Sequence, residues 1–184
     1  MRADARRNLD AVLETGARLL AEDPSTSMAT IAAEAGVDRR TVYRRFATRE
    51  ALLAAVLRKK LDVVDEVLND ARLEEAPVTV ALHRWAEGII AVLRRYPVDP
   101  AQLCCENDED TSVYDRMASQ RARLDAFVER AIDHDTLRPG LPEGLPAALL
   151  REIVGLVARQ FPEIEPAPAA DIVVDAVLGG IGQP

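Results

Sequence analysis

The chain has 184 residues, 48% hydrophobic and 29% charged, which suits one or two globular domains and excludes a large multidomain enzyme. No stretch approaches the run of about 18 apolar residues that a transmembrane helix needs. The formal net charge of −8 taken alone argues against a nucleic-acid binder, yet residues 1–60 carry 12 basic and 8 acidic groups (+4) and residues 61–184 carry 11 and 23 (−12), so the two ends are expected to do different jobs.

The polar start, Met1-Arg2-Ala3-Asp4-Ala5-Arg6-Arg7, lacks the apolar run of a secretory signal. Helical periodicity then dominates, and no alternating strand pattern appears. A first helix is predicted over about Arg6–Glu22, with Leu9, Val12, Leu13, Leu19 and Leu20 on its apolar face, stopped by Asp23-Pro24-Ser25. Ser27 is a natural N-cap for a second helix to about Ala35. Gly36 sits where a helix ends in the left-handed conformation, and Asp38 can cap a third helix, about Arg39–Phe46. Thr48 caps a fourth, with Glu50 in its first turn complementing the helix dipole, running as far as Ala71.

Pro77 marks a break before a fifth helix, about Val78–Arg95, with Leu82, Trp85, Ile89 and Leu93 on one face. A short helix is expected around Ala101–Cys105, followed by the acidic cluster Glu106, Asp108, Glu109 and Asp110. A long helix follows, about Ser112–Asp133, with Val113, Met117, Leu124, Val128 and Ala131 in register. Two last helices are predicted over about Pro146–Phe161 and Ala169–Ile181, separated by the proline-rich stretch 162–168. The expected fold class is all-α, with about nine helices and no repeat.

The sharpest signal lies in residues 27–53. A helix, a glycine turn and a second helix can present the second helix to a DNA major groove about 12 Å wide. That second helix bears Arg39, Arg40, Thr41, Tyr43, Arg44 and Arg45, and Arg49 follows. Arginine suits both bidentate guanine readout and phosphate contact. Val42 and Phe46, four apart, are placed to pack the helix against Ile31 and the first helix while the arginines face out.

These residues also resemble a known family. Ile31-Ala32, Ala35-Gly36-Val37, Thr41-Val42-Tyr43, Phe46 and Arg49-Glu50-Ala51-Leu52-Leu53 are similar to the DNA-binding signature of the TetR family of bacterial transcriptional regulators. The position before Thr41, often glycine in that family, is Arg40 here, and the often-lysine position before Glu50 is Arg49. The resemblance implies a three-helix helix-turn-helix DNA-binding domain over residues 1–48. It implies an antiparallel helical domain for effector binding and dimerisation over 49–184. It further implies a homodimer on a pseudo-palindromic DNA operator, released by a small-molecule effector, most often as a repressor in the bacterial cytoplasm. By that analogy Tyr43 and Arg49 contact phosphates, Thr41 a phosphate or a base, and Arg39, Arg40, Arg44 and Arg45 are the base-reading candidates. Two recognition helices would sit about 34–36 Å apart or somewhat further, with the fourth helix as the lever between effector and DNA.

Between the long helices, Trp85, Ile89, Tyr114, Met117 and Phe127 are the candidates for lining an effector cavity, against the plainer reading that they are core. With seven aromatics in the chain, two of them in the DNA-binding unit, such a pocket is more aliphatic than aromatic. In the last two helices, Leu149, Leu150, Ile153, Leu156 and Val157 form one apolar face and Ile172, Val173, Ala176, Val177 and Gly180 another. By family analogy these faces build a four-helix dimer interface, although either can also cover the chain's own core.

Cys104 and Cys105 are adjacent, which allows only a strained disulfide and points to a reducing cytosol. Their spacing suits zinc poorly, and His83 and His134 are distant, so no metal site and no cofactor is expected. A DNA-binding regulator without a ligand, or one sensing thiol oxidation through Cys104 and Cys105, is the alternative function. An all-helical module whose helix-turn-helix contacts protein is a third. No phosphate-cradling, zinc-protease or serine-hydrolase motif appears, so an enzyme is not expected.

Overall fold

The computed structural model describes residues 2–99 and 111–182. Eight helices account for most of them: α1 (Arg2–Glu22), α2 (Met28–Glu34), α3 (Arg39–Arg45), α4 (Arg49–Ala71), α5 (Val78–Arg95), α6 (Thr111–Asp133), α7 (Leu145–Gln160) and α8 (Pro166–Ile181). Among the described residues the only β-type pairing is an isolated bridge between Leu137 and Gly182. The short helix expected around Ala101–Cys105 lies outside the described residues.

The boundaries follow from local chemistry. Ser27 caps α2 through its hydroxyl, which accepts from the Thr30 amide at 3.1 Å. At the other end, the Gly36 amide donates to the Ala33 carbonyl (3.1 Å) and the Val37 amide to the Ala32 carbonyl (3.0 Å). This pair closes the helix as a Schellman motif, with Gly36 at φ +66°. The Thr48 hydroxyl accepts from the Ala51 amide at 3.1 Å and starts α4. Helix α8 begins three residues before its expected start, inside the proline-rich stretch, because Pro166 occupies its first turn. The first amides of a helix have no intrahelical acceptor, so a proline there loses nothing.

The described residues form two compact units. One holds the residues through Leu61 and those from Arg95 to 99; the other holds Asp62–Arg94 and 112–182. The division falls inside the continuous helix α4, whose buried Leu52, Val56, Leu57 and Leu61 belong to the first unit.

In the first unit, Val12, Leu13, Ala17 and Leu20 of α1, Ile31 of α2, Val42 of α3 and Leu52 of α4 are all nearly inaccessible. A Cβ built on Gly16 would lie 3.2 Å from Leu52, so α1 and α4 pass close there. Lys60 is the one buried cation among the described residues, 9% exposed. Its ammonium donates to the Val98 carbonyl at 2.8 Å, tying α4 to the segment after α5. Burial pushes its pKa down to about 8, against a smaller opposing pull from Asp99.

The second unit has one contiguous core that includes Leu68, Trp85, Ile90, Leu124, Phe127, Leu150, Val154 and Val173. Helices α4 and α5 approach so closely at Gly88 that a Cβ there would fall 2.5 Å from a Val67 methyl. The Arg94 guanidinium spans the end of α7 and the turn after it. It donates to the carbonyls of Ala158 (3.4 Å), Phe161 (2.9 Å) and Ile164 (2.6 Å). Packing is uneven along the helices of this unit: none of 62–67 on α4 is buried, nor any of 112–123 on α6.

Candidate nucleic-acid interface

Helix α3 is oriented by its apolar side. Val42 is 2% exposed and Phe46, at its C-cap, 7%. Asp38 fixes the other end, one carboxylate oxygen accepting from the Arg40 amide (2.9 Å) and the Thr41 amide (3.3 Å). With the helix held at both ends, Arg39, Arg40, Thr41, Tyr43, Arg44 and Arg45 are all exposed. No carboxylate of a described residue pairs with any of these four arginines. Arg39 lies over the Tyr43 ring, 5.1 Å from its centroid, which stiffens both side chains.

Arg49 is exposed as well, but it is engaged. It donates to the Pro24 carbonyl in the α1–α2 turn and lies 3.5 Å from Glu50. Nearby, hydrogen bonds from the Ser25 hydroxyl and amide hold Asp23 below the usual carboxylate range, with a smaller contribution from Arg49. Glu50 is lowered in the same direction, chiefly by its own backbone amide and by Thr48.

Beside α3 runs a cleft of about 460 Å³. Ala5, Asn8 and Leu9 of α1 form one wall and Thr41, Arg44 and Arg45 of α3 the other, over a floor of Val12, Val42 and Phe46. Nothing in the local sequence pattern marks it; only the tertiary fold brings Asn8 and Arg45, far apart in sequence, to one cleft.

The other expected site residues scatter more. Trp85 (3%) and Phe127 (2%) are core, Ile89 and Met117 are half-buried, and Tyr114 is 51% exposed. Of the two apolar C-terminal faces, Val157, Val173 and Val177 are buried in the chain's own core, because α7 and α8 turn those positions toward each other and toward α5 and α6. Leu149 and Ile153 are half-buried, whereas Leu156, Ile172, Ala176 and Gly180 are exposed, joined by Phe161 at the end of α7. His83 Nε2 lies 3.1 Å from the Asp171 carboxylate, between α5 and α8, and His134 is exposed just past the end of α6. Cys104, Cys105 and the acidic cluster lie outside the described residues. Among the described residues no helix is long and apolar enough to cross a membrane.

The exposed, capped second helix of a helix–turn–helix, preceded by the α2 Schellman turn, defines a class of three-helix reading heads. Residues 12–56 match the family described as bacterial regulatory proteins, tetR family. An 82-residue stretch is 36% identical to the HTH-type transcriptional repressor LfrR of Mycolicibacterium smegmatis. That stretch spans 45% of this chain and 43% of the repressor. The fold as a whole is similar to that of the ketosteroid transcriptional regulator KstR2 of Mycobacterium tuberculosis, at TM-score 0.79 and 23% identity over 97% of this chain and 96% of that one. It is similar also to LfrR in complex with proflavine (TM-score 0.75, 21% identity, 97% and 98% covered). AibR in complex with isovaleryl coenzyme A and operator DNA shares the fold too (TM-score 0.73, 20% identity, 92% and 97% covered).

Proposed function

We propose that this chain is a transcriptional repressor that binds a pseudo-palindromic operator as a homodimer in the bacterial cytoplasm and leaves it on binding a small molecule. Residues 1–48 read DNA, and 49–184 hold the effector and the partner copy. The observation that carries this reading is the exposed face of α3: four arginines with no carboxylate partner among the described residues, on a helix whose opposite side is buried. Guanidinium groups left unpaired and facing out are available to phosphates and to guanine edges. The repressor name of the relative and the operator-bound AibR structure support the same reading.

Two further parts rest on the second unit. Leu156 (52% exposed), Phe161 (45%) and Ile172 (47%) lie on or beside α7 and α8, with open space around Gly179 and Gly180. An apolar face of this kind suits an isologous contact with a second copy. We place an aliphatic effector site between α4, α5 and α6, where Val64, Ile89 and Met117 are half-buried. Proflavine bound to LfrR and isovaleryl coenzyme A bound to AibR are precedents for ligands in this fold. Release requires that the effector bind the DNA-free form better, by about 1–3 kcal/mol in systems of this type.

A selection from a random DNA library with the purified protein tests the proposal. The expected product is a two-fold symmetric site bound by two copies, with affinity falling steeply with salt. Enrichment of no sequence, or salt-independent binding, would count against it and favour a protein-binding module.

A further inference from the structure

We infer that the α1–α3 cleft seats one sugar–phosphate strand of the bound duplex, with Asn8 as a strand-positioning contact, and that α3 is thereby divided into a base-reading crest and two strand-holding flanks. This inference rests on the reading of the chain as a DNA binder and adds a residue on α1 to it.

The division follows from which side of α3 is buried. Residues 40 and 44 each lie two positions from Val42, about 200° around the helix. They therefore project furthest from the packed side, four residues apart and adjacent to one another. Arg39 and Tyr43 lie on one flank, coupled by their 5.1 Å cation–π contact. Thr41 and Arg45 lie on the other, and it is this flank, with Arg44 at its rim, that lines the cleft. Arg40 is thus a crest residue, and Arg39 and Arg45, both base-reading candidates from sequence, belong to the flanks.

The cleft's chemistry matches a nucleic-acid strand better than a small apolar ligand. Its floor residues Val12, Val42 and Phe46 are at most 7% exposed, and with Ala5 and the half-buried Leu9 and Val37 they make a narrow apolar strip rather than an enclosed apolar pocket. A deoxyribose face needs only such a thin apolar strip. The phosphates on either side meet the Arg45 guanidinium, a bidentate donor, and the Asn8 amide, which offers two N–H groups. Ala5, one turn before Asn8, leaves the entrance open. No acidic side chain lines the cleft.

The test compares two groups of variants on the operator selected by the wild type and on a mixed-sequence duplex. Asn8→Asp and Ala5→Glu set a carboxylate against the strand. They are expected to lower affinity about tenfold or more on both duplexes while leaving the selected consensus unchanged. Arg45→Ala should weaken both duplexes alike and reduce the salt slope by about 1. Arg40→Ala and Arg44→Ala should instead relax the consensus at particular positions. All five positions are exposed, and thermal melting verifies that each variant is folded. Wild-type affinity in both Asn8→Asp and Ala5→Glu, or a position-specific change of consensus in Arg45→Ala, would overturn the inference while leaving DNA binding intact. A wild type that selects no sequence would remove both.

Discussion

Helices α3 and α6 are both rich in arginine, and the four guanidinium groups of α3 contrast with three of the four on α6. On α3 the charges face out with no internal carboxylate. On α6, Arg116, Arg123 and Arg130 recur every seven residues, and each is bonded back to the chain. Arg116 reaches Asp65 through Nε at 2.7 Å and Asp62 at 2.8 Å, and Gln120 completes the set by donating to Asp65 at 2.7 Å. Arg123 donates to Asn69 (2.9 Å), to the Leu68 carbonyl (3.2 Å) and to Glu74. Arg130 donates to the Ala76 carbonyl at 2.9 Å. Burial works against the charge of Arg116, but its hydrogen bonds to Asp65 and Asp62 outweigh this and raise its pKa. A count of arginines cannot separate the two helices. What separates Arg116, Arg123 and Arg130 from the α3 set is that each of those charges already has its acceptor; Arg121, exposed on α6, does not share their state.

The contrast is broken most directly by removing charge from each helix in turn. Arg44→Ala/Arg45→Ala should abolish operator binding in a gel shift, an effect of about a hundredfold or more, with the melting temperature unchanged. Arg123→Ala should do the reverse. It leaves the Leu68 carbonyl and Glu74 without their donor and should cost about 1–2 kcal/mol in urea unfolding, while operator affinity per folded molecule stays at the wild-type value. Arg123→Lys should recover only part of that loss, because one ammonium cannot serve three acceptors spread over a guanidinium fork.

Lys60 sharpens the comparison as a third state of a cation, buried and held by a single carbonyl. Its folded pKa of about 8 lies below the ordinary 10.5. Below pH 8 both folded and unfolded chains carry the proton, and the cost of burying the charge, about 3 kcal/mol, is present in full. Between about pH 8 and 10.5 only the unfolded chain still binds it, so this residue makes stability rise with pH across that window. Lys60→Met should remove that rise, as read from urea midpoints at several pH values. An identical slope in the variant would show that the ammonium is solvated in the native protein.

Legibility in the sequence tracked the range of the interactions. The helix-turn-helix was readable because Ser27, Gly36, Asp38 and Thr48 act on amides and carbonyls within a few residues. The exposure of the α3 arginines followed from the spacing of Val42 and Phe46 alone. The α6 arginines were passed over because their partners lie about fifty residues upstream, where no local pattern points to them. The same holds for Asn8, which lines a cleft with Arg45 only in the folded chain. The start of α8 was hidden by its prolines, which act as breakers inside a helix and are tolerated in its first turn. Val157, Val173 and Val177 could be read as apolar, but whether an apolar face turns to its own core or to a partner is decided by tertiary packing.

The turn at Gly36 carries one more consequence. No heavy atom lies within 4 Å of an L-residue's Cβ built there, so an L side chain is opposed by the positive φ of the backbone and not by its neighbours. An L-alanine would be strained by the positive φ, whereas a D-alanine, introduced by chemical ligation, would adopt it as its preferred conformation. What this turn selects is chirality and not size, and a mirror-image residue should fix the approach of the reading helix more firmly than the natural glycine does.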